Sequence, residues 1–151
     1  MKKVFGTIRK WNMKGNGRYP ASQTNLHKQI TTLFKKLRKL DDSVILTYSI
    51  EKDKYRWKYH LQIQIMYTNK EALYNLLSKF VKGEWTLGIG YGGTFDSCHG
   101  KYGTVYLESG RSDKAAYGYM NKFINCDSKT LYKKSKYGKN IKAENTKGVW
   151  N

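Results

Sequence analysis

Two stretches of the chain alternate apolar and polar residues with the period of two that marks a half-buried β-strand. In VILTYSIE (44–51), Leu46, Tyr48 and Ile50 take one face, and Thr47, Ser49 and Glu51 the other. In WKYHLQIQIMY (57–67), Trp57, Tyr59, Leu61, Ile63 and Ile65 oppose His60, Gln62 and Gln64. The short KDKYR between them predicts a hairpin. VFGTI followed by RKW (3–11) reads as a first strand, and GTVYLE (103–108) as a late one.

Elsewhere the apolar period lengthens to that of a helix. TNLHKQITTLFKKLRKL places Leu26, Ile30, Leu33, Phe34, Leu37 and Leu40 along one stripe, with Ser22 or Thr24 as N-cap. Thr68-Asn-Lys-Glu71 has the form of a capping box, starting a second helix with Leu73, Leu76, Leu77 and Phe80 inward. A third helix is expected after Ser112 or Asp113, with Ala116, Met120, Phe123 and Ile124 as its stripe. GEWTLGIGYGGTFDSCHGKYG (83–103) is glycine-rich and aromatic, and reads as one strand plus a loop or hairpin. These elements predict an α+β domain over residues 1–125. Its single antiparallel sheet has about five strands, with helices on the apolar face and the polar face open to a ligand. Residues 126–151 read as a basic C-terminal extension.

Composition narrows the ligand. Twenty-nine Lys and Arg against eleven Asp and Glu give a formal charge of +18, which favours a polyanionic partner. Thirteen tyrosines and four tryptophans are interspersed with the cations, as in KDKYRWKYH and KYGTVY. Rings stack on unpaired bases while cations follow phosphates, so the mixture points to single-stranded nucleic acid. Two cysteines make no disulfide framework, and no apolar run is of membrane-spanning or signal-peptide length. An intracellular protein with no membrane partner is expected.

The hairpin carries the candidate chemistry. Once both strands turn their apolar residues inward, His60, Gln62 and Glu51 share the polar face as neighbours across a strand pair. One imidazole, one amide oxygen and one carboxylate suit Mg2+ or Mn2+ better than zinc. The bland readings are a hydrogen-bonded surface histidine and a Glu51 paired with Lys54 or Arg56. On the third helix Tyr119 and Lys122 lie three apart and share a side, whereas Tyr117 points away from Tyr119. A phenol with a lysine one turn later suits attack on a phosphodiester; a half-buried tyrosine beside a solvated lysine is the plain alternative.

Taken together, Glu51 nine positions before HLQ, followed by the S-D-initiated helix with Tyr-x-x-Lys, resembles the HUH endonuclease domain of rolling-circle replication initiators (Rep). The likeness is to the circovirus- and nanovirus-like branch, whose motif has Gln in place of the second His. The resemblance spans roughly residues 3–125. It implies a ferredoxin/RRM-like nuclease fold, divalent-metal ligation by Glu51, His60 and Gln62, and Tyr119 as the nucleophile that cleaves single-stranded origin DNA. Lys122 matches the accompanying lysine. VFGTIRKW sits where the family has its origin-binding motif but lacks the usual Asn-rich or Pro-containing ending; Arg9, Lys10 and Asn12 are the DNA contacts it would supply. The 83–103 segment is longer than the resemblance leads one to expect, and the helicase domain that usually follows is absent from this sequence, which is that of either a short Rep or an excised nuclease domain; unwinding is expected to need a partner, a separate helicase. A viral protein of this type would work in the nucleus, a plasmid or phage protein in the bacterial cytoplasm. Two alternatives stand beside it. A single-tyrosine HUH transposase normally keeps two histidines, against HLQ here. A ferredoxin-like binding module would hold nucleic acid without cutting it.

Overall fold

A computed structural model describes residues 2–15, 17–52, 59–90, 93–109 and 147–150. In chain order the elements are β1 (Lys2–Lys14), β2 (Gly17–Pro20), α1 (Gln23–Leu40), β3 (Ile45–Lys52), β4 (Tyr59–Tyr67) and α2 (Lys70–Val81). They continue with β5 (Gly83–Thr86), β6 (Ile89–Gly90), β7 (Gly93–Gly100), β8 (Gly103–Glu108) and β9 (Lys147–Trp150). One antiparallel sheet runs β5-β7-β8-β1-β4-β3-β9, with β2 pairing on β1 and β6 on β7. The core order β8-β1-β4-β3, with α1 and α2 as the crossovers, is a ferredoxin-like βαββαβ arrangement. It is the α+β architecture expected, in a wider sheet.

Burial of one sheet face against the two helices holds it together. Val4, Ile8, Leu46, Tyr48, Ile50, Leu61, Ile63, Ile65, Val105 and Leu107 meet Leu26, Ile30, Phe34, Leu37, Leu73 and Leu77 in a single apolar cluster. The stripes read from the sequence pack, with one correction: Leu40, in the last position of α1, lies beyond the sheet's cover and is exposed. Within this layer the Tyr48 hydroxyl lies 2.7 Å from His27 Nδ1, so a buried phenol and imidazole satisfy one another.

Two local expectations change, and a choice between two caps is decided. The Gly/Asn-rich run after β1 is itself a hairpin, with Trp11 opposite Pro20 and Lys14 opposite Gly17. Ser22 caps α1, its Oγ accepting from the Asn25 N–H at 3.1 Å. The α2 cap is Asn69 and not Thr68: Asn69 Oδ1 accepts from the Ala72 N–H, while the Thr68 hydroxyl donates to Asp41. A distant carboxylate outcompetes the local capping box.

The glycine-rich 83–103 segment is mostly sheet, contributing β5, β6 and β7 where one strand plus a loop or hairpin was expected. Glycine serves close approach there: a Cβ on Gly100 would stand 2.1 Å from the Val81 carbonyl oxygen at the end of α2. At Gly6 in β1, a Cβ would stand 1.9 Å from the Tyr106 carbonyl oxygen of β8. The expected third helix, with Tyr117, Tyr119 and Lys122, lies outside the described residues, as does most of the expected tail; its residues 147–150 form β9 along β3. Among the described residues no helix is long and apolar enough to cross a membrane.

Candidate functional site

The sheet face away from the helices is a grid, because paired residues on adjacent antiparallel strands point the same way, their Cβ atoms about 5 Å apart. Three rows cross it. The first runs Thr47, Gln64, Phe5, Glu108, Phe95. The second runs Ser49, Gln62, Thr7, Tyr106, Ser97. In the third, Glu51 pairs with His60 on one side of β1, and Arg9, Thr104 and His99 follow in line on the other. The β1–β4 ladder ends at Ile8 and Leu61, one step short of joining the two parts.

The three expected metal-binding positions are thus brought together. Glu51 is directly across from His60, and Gln62 is the next residue of β4 on that face. Gln62 Oε1 accepts a hydrogen bond from the Thr7 hydroxyl at 3.1 Å, and an amide oxygen retains a second lone pair for a cation. An imidazole, an amide and a carboxylate position fit a hard divalent ion whose remaining ligands are water or phosphate oxygens. Among the described residues no three His, Cys, Asp or Glu side chains gather into a metal-binding group. The candidate set does not require one, since it draws on an amide.

One expectation about this face is corrected. His60, Gln62 and Gln64 are only 6%, 3% and 4% exposed, so the centre of the polar face is buried and not open. Alternation tells which face a side chain takes, and says nothing of what lies over that face. Gln64, two residues further along β4 on the same face, is buried with the others.

The three expected DNA contacts on β1 divide between faces. Arg9 is exposed, in line with Thr104 on the polar side. Lys10 turns to the helix side, its ammonium 4.3 Å from the centroid of the Phe80 ring, and burial lowers its pKa. Asn12, half-buried, pairs with Tyr19 in the β1–β2 hairpin. Lys10 also joins Lys82 and Lys101 around the Tyr102 ring, at 5.9, 5.6 and 5.7 Å from its centroid. Nearby, Trp11 donates its indole N–H to the Lys101 carbonyl and carries the Arg18 guanidinium over its ring at 4.7 Å. Such clusters of cations and rings suit a single strand.

No protein-family model, curated protein or solved structure matches this chain.

What sequence reading missed lies beside Gln62. A pocket of about 260 Å³ opens on the polar face between Phe5, Thr7, Gln62, Phe95, Tyr106 and Glu108. Phe95 is 44% exposed, and its ring centroid is 6.1 Å from that of Tyr106. The far side of Tyr106 meets the His99 ring edge-on at 5.6 Å. The alternation in GTVYLE was a signal for Tyr106 and Glu108, but Phe95 sits in the glycine-rich segment whose strands had no clear period.

Proposed function

We propose that this protein nicks and rejoins single-stranded DNA as a metal-assisted, single-tyrosine endonuclease of the replication-initiator kind. The observation that carries the reading is the register of β3 and β4, which sets position 51 opposite His60 with Gln62 next along the same face. A net charge of +18 and the cation–ring clusters around Trp11 and Tyr102 support a nucleic-acid substrate.

The chemistry follows from the residue types. The Tyr119 oxygen attacks the phosphorus and loses its proton, the bond from phosphorus to the 3′ oxygen breaks, and that oxygen leaves as a hydroxyl after taking up a proton. The 5′ side remains as a phosphotyrosine ester, which a 3′-hydroxyl reverses to rejoin the strand. Lys122 neutralises charge building on the phosphoryl oxygens. Glu51, His60 and Gln62 would hold Mg2+ or Mn2+, which supplies Lewis-acid polarisation of the phosphate. A separate helicase would open the origin duplex.

The test is a denaturing gel of the full chain incubated with a randomised single-stranded pool in Mn2+. A covalent adduct is expected that disappears in EDTA and in Tyr119→Phe, persists in Tyr117→Phe, and falls at least about tenfold in His60→Ala. Adducts that survive in Tyr119→Phe would overturn the assignment. A second reading, a non-catalytic single-strand binding module, is favoured by the aromatic pocket beside Gln62; it predicts binding without adducts and indifference to His60→Ala.

A further inference from the structure

We infer that Lys10, Lys82 and Lys101 form a phosphate-binding site on the helix side of β1, which holds the strand after it passes over the β7–β8 turn from the polar face. The inference rests on reading the ligand as a single nucleic-acid strand, and adds a second place where its backbone is held.

Three elements assemble the site. Lys10 comes from β1, Lys82 is the C-cap of α2, and Lys101 opens the turn between β7 and β8. Backbone bonds lock these elements together. The Lys101 N–H donates to the Lys82 carbonyl at 3.2 Å, the Tyr102 N–H to the Val81 carbonyl at 2.8 Å, and the Trp11 N–H to the Tyr102 carbonyl at 3.0 Å. Lys82 holds a φ of 54°, in the left-handed region that glycine fills most readily, and the bond from Lys101 braces it there. The frame is in place before any ligand arrives.

The side chains on that frame want an anion. The three ammonium groups lie 5.9, 5.6 and 5.7 Å from the centroid of one ring, that of Tyr102, and Lys10 is 4.3 Å from the centroid of Phe80. These described contacts are with ring faces, and like charges gathered around one ring repel each other. Burial also disfavours the charge on Lys10, lowering its pKa. An anion among the three offsets both effects. Ammonium groups are compact charges with freely turning donors, suited to the tetrahedral oxygens of phosphate; a planar carboxylate is matched better by the fork of arginine.

Position then assigns the phosphate to a strand. His99 and Thr104, which stand in line with Arg9 on the polar face, pair one step before the Gly100–Gly103 pair from which the turn springs. A backbone leaving Arg9 has only that turn to cross before it meets Lys101 and then Lys10. Trp11, with the Arg18 guanidinium over its ring, extends the surface beyond.

The test measures binding in EDTA, where nothing is cut. Fluorescein-labelled sixteen-mers of thymidine and of deoxyadenosine are titrated with the full chain across a salt series and followed by anisotropy. Changing Lys10→Gln, Lys82→Gln and Lys101→Gln together should weaken both oligomers alike, by about tenfold or more at low salt. The slope of log affinity against log salt should become shallower by about 0.7 for each phosphate released. A control with Lys2→Gln, Lys35→Gln and Lys39→Gln removes as many charges from exposed positions elsewhere, and should stay within about threefold of wild type. Thermal melts check the fold. Should the first triple variant not fold, Lys101→Gln alone, at an exposed turn residue, should cost about threefold where Lys35→Gln costs nothing measurable. Equal losses at the two sets of positions, an unchanged salt slope, or a loss confined to one base overturns the inference. If adducts form in Mn2+ while the site variant binds as wild type does, the phosphate site falls and the nickase stands. If the site variant loses affinity as stated and no adducts form, the site stands and the nickase falls.

Discussion

Asp41 joins two helices through a single carboxylate. It follows α1, its N–H returning to the Leu37 carbonyl, and its two oxygens accept from Ser43, from the Thr68 N–H and hydroxyl, and from the Asn69 N–H. Burial works to raise its pKa, but the hydrogen bonds from Ser43, Asn69 and Thr68 hold it well below the usual carboxylate range. Since the folded-state pKa lies below the unfolded value of about 3.9, this stabilisation is full above that value and is lost as pH falls through the folded pKa. Asp41→Ala should therefore cost about 2–4 kcal/mol in urea unfolding at pH 7, with the gap to wild type narrowing at acid pH. This bond also explains the misread cap. Thr68-x-x-Glu71 is a sound local signal, but Asp41 is 27 positions away from Thr68, and no local window contains it. Tyr74 gives the second test at this scale. Burial, and then its 2.5 Å hydrogen bond to Asp96, push its pKa far up, so the phenol stays protonated and donates. Tyr74→Phe leaves Asp96 with the Gly88 N–H as its described donor, and should lower stability by about 1–3 kcal/mol by thermal or urea melts.

At the level of elements, legibility followed periodicity. Both described helices and the β3–β4 hairpin were readable because each buries one continuous face, which writes a regular pattern of apolar residues. The pairing of position 51 with His60 was readable for the same reason: a one-residue slip would send Leu46, Tyr48 and Ile50 to the wrong side. The β5–β7 region was not, since glycine carries no side chain to mark a face; Gly83 passes tightly against β7, and Gly100 against the end of α2. Gly6 tests that logic in a strand whose pattern was clear. Gly6→Ala drives a methyl into the Tyr106 carbonyl, so β1 and β8 must part. A loss of about 3 kcal/mol or more is expected, with faster amide exchange along Val105 and Leu107 than in wild type. The same displacement would distort the pocket wall at Thr7 and Tyr106.

For the molecule as a whole, charge is the property that sequence reported most directly and that the fold arranges. Arg9 on the polar face and Lys10 on the helix side show that adjacent cations of one strand serve different surfaces. On the proposed reading, a single strand following one side of β1 would touch alternate members of RKW at most. If about four phosphates are neutralised, the logarithm of affinity for a thymidine oligomer should fall against that of salt with a slope near −3; a slope near zero would argue against a polyanion ligand. The sheet that carries this charge has very unequal strands. Its described outermost members, β5 and β9, are four residues long each, while β3 has eight and β1 thirteen. Short borders give a neighbouring molecule little to zip onto. Removing residues 147–151 would uncover the amides and carbonyls of Leu46 to Ser49 on β3, so the truncated chain should self-associate in light scattering at concentrations where the full chain does not. On this argument the four residues of β9 would keep the longer β3 from recruiting further copies of the chain.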